Sequence, residues 1–177
     1  MTLASLLTPY RTVVVEGQQG TRRNDLVAEL ARLGFPVRRM PATLHPLDPA
    51  LPYRELLSAP GRLVVDGSII RELVYGPLRR GRSRVTWIQV LDFAEAVAER
   101  DGAMLHLTVP QPAGFEQRHG AEAADARAAY ARVFLALAQH VPVVTLDVGS
   151  GAAGSGGRTP TPRVPPRMTN LDEAHGS

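Results

Sequence analysis

Val13-Val14-Val15-Glu16-Gly17-Gln18-Gln19-Gly20-Thr21-Arg22-Arg23-Asn24-Asp25 decides how the chain is read. A β-branched run ends in Glu-Gly, and a second glycine follows three residues later. The polar residues after it open an amphipathic stretch in which Leu26, Val27, Leu30 and Leu33 share one face. That pattern predicts a strand, a tight turn and a helix. Such a turn offers backbone N–H groups at a helix N-terminus, where the helix dipole favours an anion. A loop built for nucleotide phosphates also carries a lysine for the β/γ-phosphates and a serine or threonine for Mg²⁺. Neither stands at the end of this loop, and all 20 basic residues of the chain are arginine.

Outward from this loop, short apolar runs alternate with amphipathic stretches. The helix over residues 24–33 is closed by Gly34, and residues 37–40 read as a second short strand. Residues 41–60 are a proline-rich crossover with one helical turn near 53–58, and residues 62–66 form a third strand ending at Gly67. Residues 69–75 allow one or two helical turns before Gly76-Pro77 breaks them. Ser83 is placed to cap a longer helix through Arg100 that buries Val85, Ile88, Leu91 and Val97. Residues 103–109 make a fourth strand, closed by Pro110. An excursion over 111–120 leads into an alanine-rich helix over 122–139, and residues 141–147 supply the fifth strand. Strands joined through helical crossovers predict a parallel sheet with helices on both faces. The expected architecture is therefore three-layer α/β/α with a five-stranded parallel sheet.

Composition narrows the function classes. With 177 residues and 44% apolar content the chain suits one domain, read as a lead-in over 1–11, a folded unit over 12–148 and a Gly/Ser/Pro-rich tail over 149–177. The tail is too poor in large apolar residues to offset its ordering entropy and is expected to be disordered. The absence of cysteine excludes disulfides and thiolate metal sites. No apolar run approaches the roughly 20 residues of a membrane helix, and the N-terminus lacks a secretory pattern, so a soluble cytoplasmic protein is expected. The charge of +3 and pI of about 9.9 do not specify nucleic acid as a partner. The pairs Arg22-Arg23, Arg38-Arg39 and Arg79-Arg80 are scattered over different elements rather than gathered in one stripe. The five histidines show no metal-ligand spacing, and His106 on an apolar strand reads as a core residue. Trp87 reads as packing its helix or as flanking a ligand base.

Three segments, in order, resemble the P-loop nucleoside and nucleotide kinases, in particular the thymidylate kinase group. Val14-Val15-Glu16-Gly17-Gln18-Gln19-Gly20 is similar to the family's first strand and loop. Leu63-Val64-Val65-Asp66-Gly67-Ser68 resembles the Asp-Arg motif that closes the third strand, and Leu73-Val74-Tyr75-Gly76-Pro77-Leu78-Arg79-Arg80-Gly81 resembles the segment lining the acceptor-base pocket. The region 118–130 occupies the place of the lid and following helix. The resemblance implies a P-loop NTPase fold, a nucleotide or nucleoside ligand, ATP and Mg²⁺ as cofactors if the protein is active, and a homodimer. It assigns Gly17, Gln18, Gly20, Thr21, Arg22, Arg23 and Asn24 to the donor phosphates. Gln19, Tyr75 and Arg80 go to the acceptor, Asn24 and Asp66 to Mg²⁺, and Arg23, Asp66 and Arg118 to catalysis.

The departures fall where the chemistry would be done. In register with Gly17, Arg22 stands on the loop's final glycine, Arg23 on the lysine and Asn24 on the Mg²⁺-binding hydroxyl, while Gly67 stands on the arginine of the second motif. A side chain on a loop glycine implies backbone strain on the order of 1 kcal/mol. Arg23 keeps the charge but not the compact ammonium. Asn24 can offer oxygen to Mg²⁺ or cap the helix, and Asp66 can reach Mg²⁺ or cap the next turn. Three readings follow: a protein that binds nucleotide or phosphate with weak or no phosphoryl transfer, an active kinase with Arg23 in place of lysine, and a non-catalytic structural or regulatory module.

Overall fold

The computed structural model describes residues 3–18, 21–40, 45, 47–109 and 120–148. Five parallel strands form one sheet among them: β1 (Thr12–Gly17), β2 (Val37–Arg39), β3 (Leu63–Asp66), β4 (Gly102–Thr108) and β5 (Val143–Asp147), in the order β2-β3-β1-β4-β5. β1 lies at the centre and is buried along its whole length, as expected for a strand covered on both faces. Its side chains divide by the period of two. Val13 and Val15 join Val64, Leu105 and Leu107 on one face, under α1 (Leu3–Leu7) and α2 (Arg23–Arg32), with Leu7, Leu26, Val27 and Leu30 packed there. Val14 joins Val65 and Met104 on the other. That face is covered by α3 (Leu51–Leu57), α4 (Ile70–Arg80), α5 (Trp87–Glu99) and α6 (Gly120–Leu137). The three-layer α/β architecture is thus the one the alternation of strands and helices implied.

The elements differ from expectation where local signals met tertiary packing. The first eleven residues contain α1, whose Leu7 is fully buried against the sheet. α3 is a helix of seven residues; Asp48 accepts a hydrogen bond from the Ala50 N–H at 2.9 Å before it, and its proline falls in the first turn, where no N–H is needed. α4 runs straight through Gly76-Pro77, the dipeptide expected to break it, and stops at Gly81, whose φ of +71° provides the left-handed cap. Burial of Ile70, Val74, Tyr75 and Gly76 outweighs the one donor that Pro77 removes. Gly76 is small for a separate reason: a Cβ there would stand 2.9 Å from Ser83 Cα. α5 starts at Trp87, not after Ser83. Thr86 and Gln89 form a reciprocal capping box, which shifts the register so that Val90, Phe93, Ala94 and Val97 are buried and Ile88 is exposed. Val85 is buried just ahead of the helix, and Trp87 is partly exposed at its first turn.

The topology sets where a ligand can enter. α2 follows β1 onto one face of the sheet, whereas α4 follows the neighbouring β3 onto the other. Between the carboxyl ends of β1 and β3 the connections diverge, and a crevice opens there, the usual ligand position in open α/β sheets.

Candidate functional site

The crevice is built on Glu16 and Gly17. Gly17 has no room for a side chain: a Cβ would stand 2.8 Å from the Leu107 carbonyl oxygen, so β1 and β4 can close together only with glycine here. The Glu16 side chain is fully buried. Its Oε1 accepts hydrogen bonds from the Ser68 N–H at 2.5 Å and the Ser68 hydroxyl at 2.8 Å, and Tyr130 on α6 donates to Oε2 at 3.4 Å. Burial pushes the Glu16 carboxyl above its ordinary range, while the Ser68 hydroxyl and the positive charge of Arg23 pull it back. The same burial, reinforced by Glu16, raises the Tyr130 phenol. Ser68 also accepts a hydrogen bond from the Ile70 N–H at 3.2 Å, so one buried carboxylate anchors the turn from which α4 starts.

Asp66 ends β3 with a side chain only 4% exposed. Arg23 Nε lies 2.8 Å from its Oδ1 and Arg39 Nε 3.2 Å from its Oδ2. The second contact follows from the β2·β3 register, which sets Arg39 beside Asp66. The first is an ion pair without an aligned hydrogen bond, since Oδ1 has no hydrogen-bond partner among the described residues. Gly67 then turns the chain with φ +87°, a conformation that disfavours any side chain, and a Cβ there would stand 3.9 Å from Arg23 Nη1. Arg23 therefore reaches across the crevice from α2 to β3.

Two chambers meet at this point. A cleft of about 390 Å³ is lined by Arg23, Arg39, Arg71, Arg79 and Arg80, with Asp66 and Glu72 as its carboxylates and Met40, Tyr53 and Tyr75 as its larger apolar surfaces. A second, of about 200 Å³, is lined by Gly17, Gln18, Thr21, Arg23, Asn24, Arg71 and Tyr75. Arg23, Asn24, Arg71 and Tyr75 belong to both. Tyr75 packs edge-on against Tyr130 at 6.1 Å, with the Arg79 guanidinium 4.5 Å over its ring.

Many of the expected site residues converge here. Gly17, Gln18, Thr21, Arg23 and Asn24 border the smaller chamber, and Tyr75, Arg80 and Asp66 border the larger. Thr21 donates its hydroxyl to the Gln18 carbonyl at 3.0 Å. Arg22 borders neither chamber: it pairs with Asp25 at 2.8 Å on the surface, and its φ of −74° carries none of the strain expected of it. Asn24 does not cap α2; the cap position is Arg22 and makes no side-chain bond. Gln19, Gly20 and Arg118 lie outside the described residues. His106 is buried and stacks on Phe134 at 4.4 Å; burial lowers its imidazole to about 4. Arg39, Tyr53, Ser68, Arg71 and Glu72 were not singled out from the sequence. Only a helical register counted from Asp66 would have pointed to Arg71.

Asp66, assigned with Asn24 to Mg²⁺, stands between the Arg23 and Arg39 guanidinium groups, and no group of three or more His, Cys, Asp or Glu residues gathers among the described residues.

No family model matches the chain, and no curated protein matches it. Among solved structures it is similar to the YorR protein from Bacillus subtilis in complex with phosphorylated GDP, with a TM-score of 0.62 over 77% of this chain and 84% of that one, at 12% identity. The likeness is one of fold. A likeness at this identity extends to the architecture and not to thymidylate specificity. No helix among the described residues is long and apolar enough to cross a membrane.

Proposed function

We propose that the protein binds a phosphorylated nucleoside in the paired chambers at the carboxyl ends of β1 and β3, with weak or no phosphoryl transfer. The observation that carries this reading is the arginine-lined cleft opening into the loop after β1, at the crevice where a sheet of this topology takes its ligand. A cleft with five guanidinium groups and two carboxylates in its lining carries excess positive charge, and its volume suits a small ligand. The YorR complex with phosphorylated GDP lends support through shared fold. A thymidylate-like acceptor belongs to the proposal through the motif around Tyr75 and Arg80, both of which border the larger chamber.

Weak transfer follows from the electrostatics. Phosphoryl transfer depends on cations held against the moving charge. Arg23, the candidate replacement for the lysine, is engaged by Asp66 instead of curling over its own loop. An active kinase relying on Arg23 would first have to break that pair. Calorimetric titration with ADP, GDP and dTMP, with and without Mg²⁺, followed by a transfer assay to dTMP, tests the reading. Binding with little or no transfer is expected. Rapid turnover abolished by Arg23→Ala would replace the proposal with the kinase, and silence on every ligand would leave a structural module.

A further inference from the structure

Five arginines line the larger chamber, and four have an acidic partner. Arg23 and Arg39 share Asp66, Arg79 pairs with Glu122, and Arg80 pairs with Glu72. Arg71 differs: no hydrogen bond or ion pair holds its guanidinium among the described residues, although it borders both chambers. We propose that Arg71 is the principal phosphate-binding side chain of this protein, and that the ligand it selects is a nucleoside carrying a phosphate monoester or diphosphate, not a neutral nucleoside. This deepens the nucleotide-binding reading and rests on it.

The argument is one of competition. An anion at Arg23 competes for its charge with Asp66, whose Oδ1 lies 2.8 Å from Arg23 Nε on a side chain only 4% exposed. The same holds for Arg80, whose partner Glu72 also accepts a hydrogen bond from the Arg84 N–H at 2.9 Å. Among the described residues Arg71 has no such partner to surrender, which leaves its guanidinium donors for a planar, two-pronged grip on phosphate. Its base is firm. Arg71 stands in the first turn of α4, its N–H on the Ser68 carbonyl at 3.3 Å, and Ser68 is itself fixed by buried Glu16. A rigid turn thus presents a guanidinium where the two chambers join. Its charge reaches into the cleft, where it is felt at the Tyr53 phenol and, behind it, at Tyr130. Arg23, clamped by Asp66, is by contrast a positioning residue that ties α2 to β3.

Calorimetry on the full chain with GDP, dTMP, thymidine and inorganic pyrophosphate provides the test, comparing wild type with Arg71→Gln, Arg71→Lys and Arg23→Gln and recording each variant's melting temperature. Arg71→Gln should weaken the phosphorylated probes about tenfold or more with its melting temperature unchanged, and Arg71→Lys should recover part of that loss. Arg23→Gln should lower the melting temperature and cost less affinity. If Arg71→Gln binds phosphorylated probes as tightly as wild type, or Arg23→Gln alone abolishes binding while staying folded, Arg71 is not the grip, although nucleotide binding stands. Thymidine bound as tightly as dTMP by wild type overturns the selectivity. Wild type that binds no phosphorylated probe overturns the nucleotide-binding reading and this one together.

Discussion

Consider Asp66→Asn, which removes one negative charge from the crevice and changes almost no volume. The carboxylate is 4% exposed and touches Arg23, itself 25% exposed, and Arg39, which is 69% exposed. The Arg39 contact is a surface pair worth about 0.5 kcal/mol. The Arg23 contact is largely shielded from water but imperfectly aligned, which puts it near the lower end of charge-assisted bonds, about 1.5 kcal/mol. The amide oxygen of asparagine recovers part of this. A loss of about 1.5 kcal/mol is expected, equivalent to a fall of roughly 3–6 °C in melting temperature for a folded unit of this size.

Phosphate binding should move the other way. With its counter-ion gone, Arg23 adds its charge to that of Arg71 in the shared wall of the chambers. A unit charge about 6 Å from a phosphate, in a partly solvated cleft, contributes about 1 kcal/mol, or roughly a fivefold gain in affinity. Differential scanning calorimetry gives the first quantity, and titration with pyrophosphate in EDTA at low salt gives the second. Both are measured on one purified variant. If Asp66 instead served the ligand directly, or through Mg²⁺, the variant would bind pyrophosphate more weakly than wild type. That result, or an unchanged melting temperature, refutes the clamp.

Gly17→Ala should cost about 2 kcal/mol or more and lower the melting temperature, because its Cβ would meet the Leu107 carbonyl oxygen and force β1 from β4; an unaltered melt would show that the strands can part freely. Glu16 has its folded value raised, so its ionisation opposes folding: stability should fall as pH rises from about 4.5 through that value, and Glu16→Gln, which keeps acceptors for Ser68, should flatten this dependence in urea titrations across pH. His106 behaves oppositely. Its folded value is lowered to about 4, so the unfolded chain takes the proton first and stability is lost as pH falls from 6.5 toward 4, by about 2 kcal/mol after allowance for solvent screening. His106→Phe, which can keep the stack on Phe134, should remove that limb, and a variant as acid-sensitive as wild type would count against it.

The centre of the sheet was legible because β1 and β3 are short valine-rich runs that each lead into a glycine, and burial along their whole length leaves such runs few alternatives. The helix boundaries were less so. Gly76-Pro77 is a breaker in isolation, yet four buried residues of α4 hold it in the helix, and the choice between Ser83 and Thr86 as cap turned on Gln89 reaching back. In the site, residues local to the loop were recognisable from their spacing. Partners across strands were not: Arg39 meets Asp66 only because β2 pairs with β3 in a particular register, and Ser68 meets Glu16 across 52 residues of chain. Arg71 escaped notice because it sits between two recognisable motifs, at a position defined by the start of α4 alone.

Two departures from the pattern that the sequence resembles, far apart in the chain, lie side by side in space. Gly67 lacks the arginine that the motif would carry, and Arg23 has a longer, forked side chain where the loop would carry lysine. The Arg23 guanidinium lies across the turn at Gly67, with Nη1 3.9 Å from where a Cβ would be, and its Nε sits on the Asp66 carboxylate just before that turn. A side chain at position 67 would need a left-handed backbone and would stand in contact with this guanidinium. The crevice thus carries a cation supplied from α2, beside the Asp66 carboxylate. On the proposed reading it offers the ligand a positive wall without a compact ammonium above the loop, with Arg71 as its principal donor. Such a wall holds an anion well and follows a moving charge poorly, which is why binding and transfer are expected to part company in this protein.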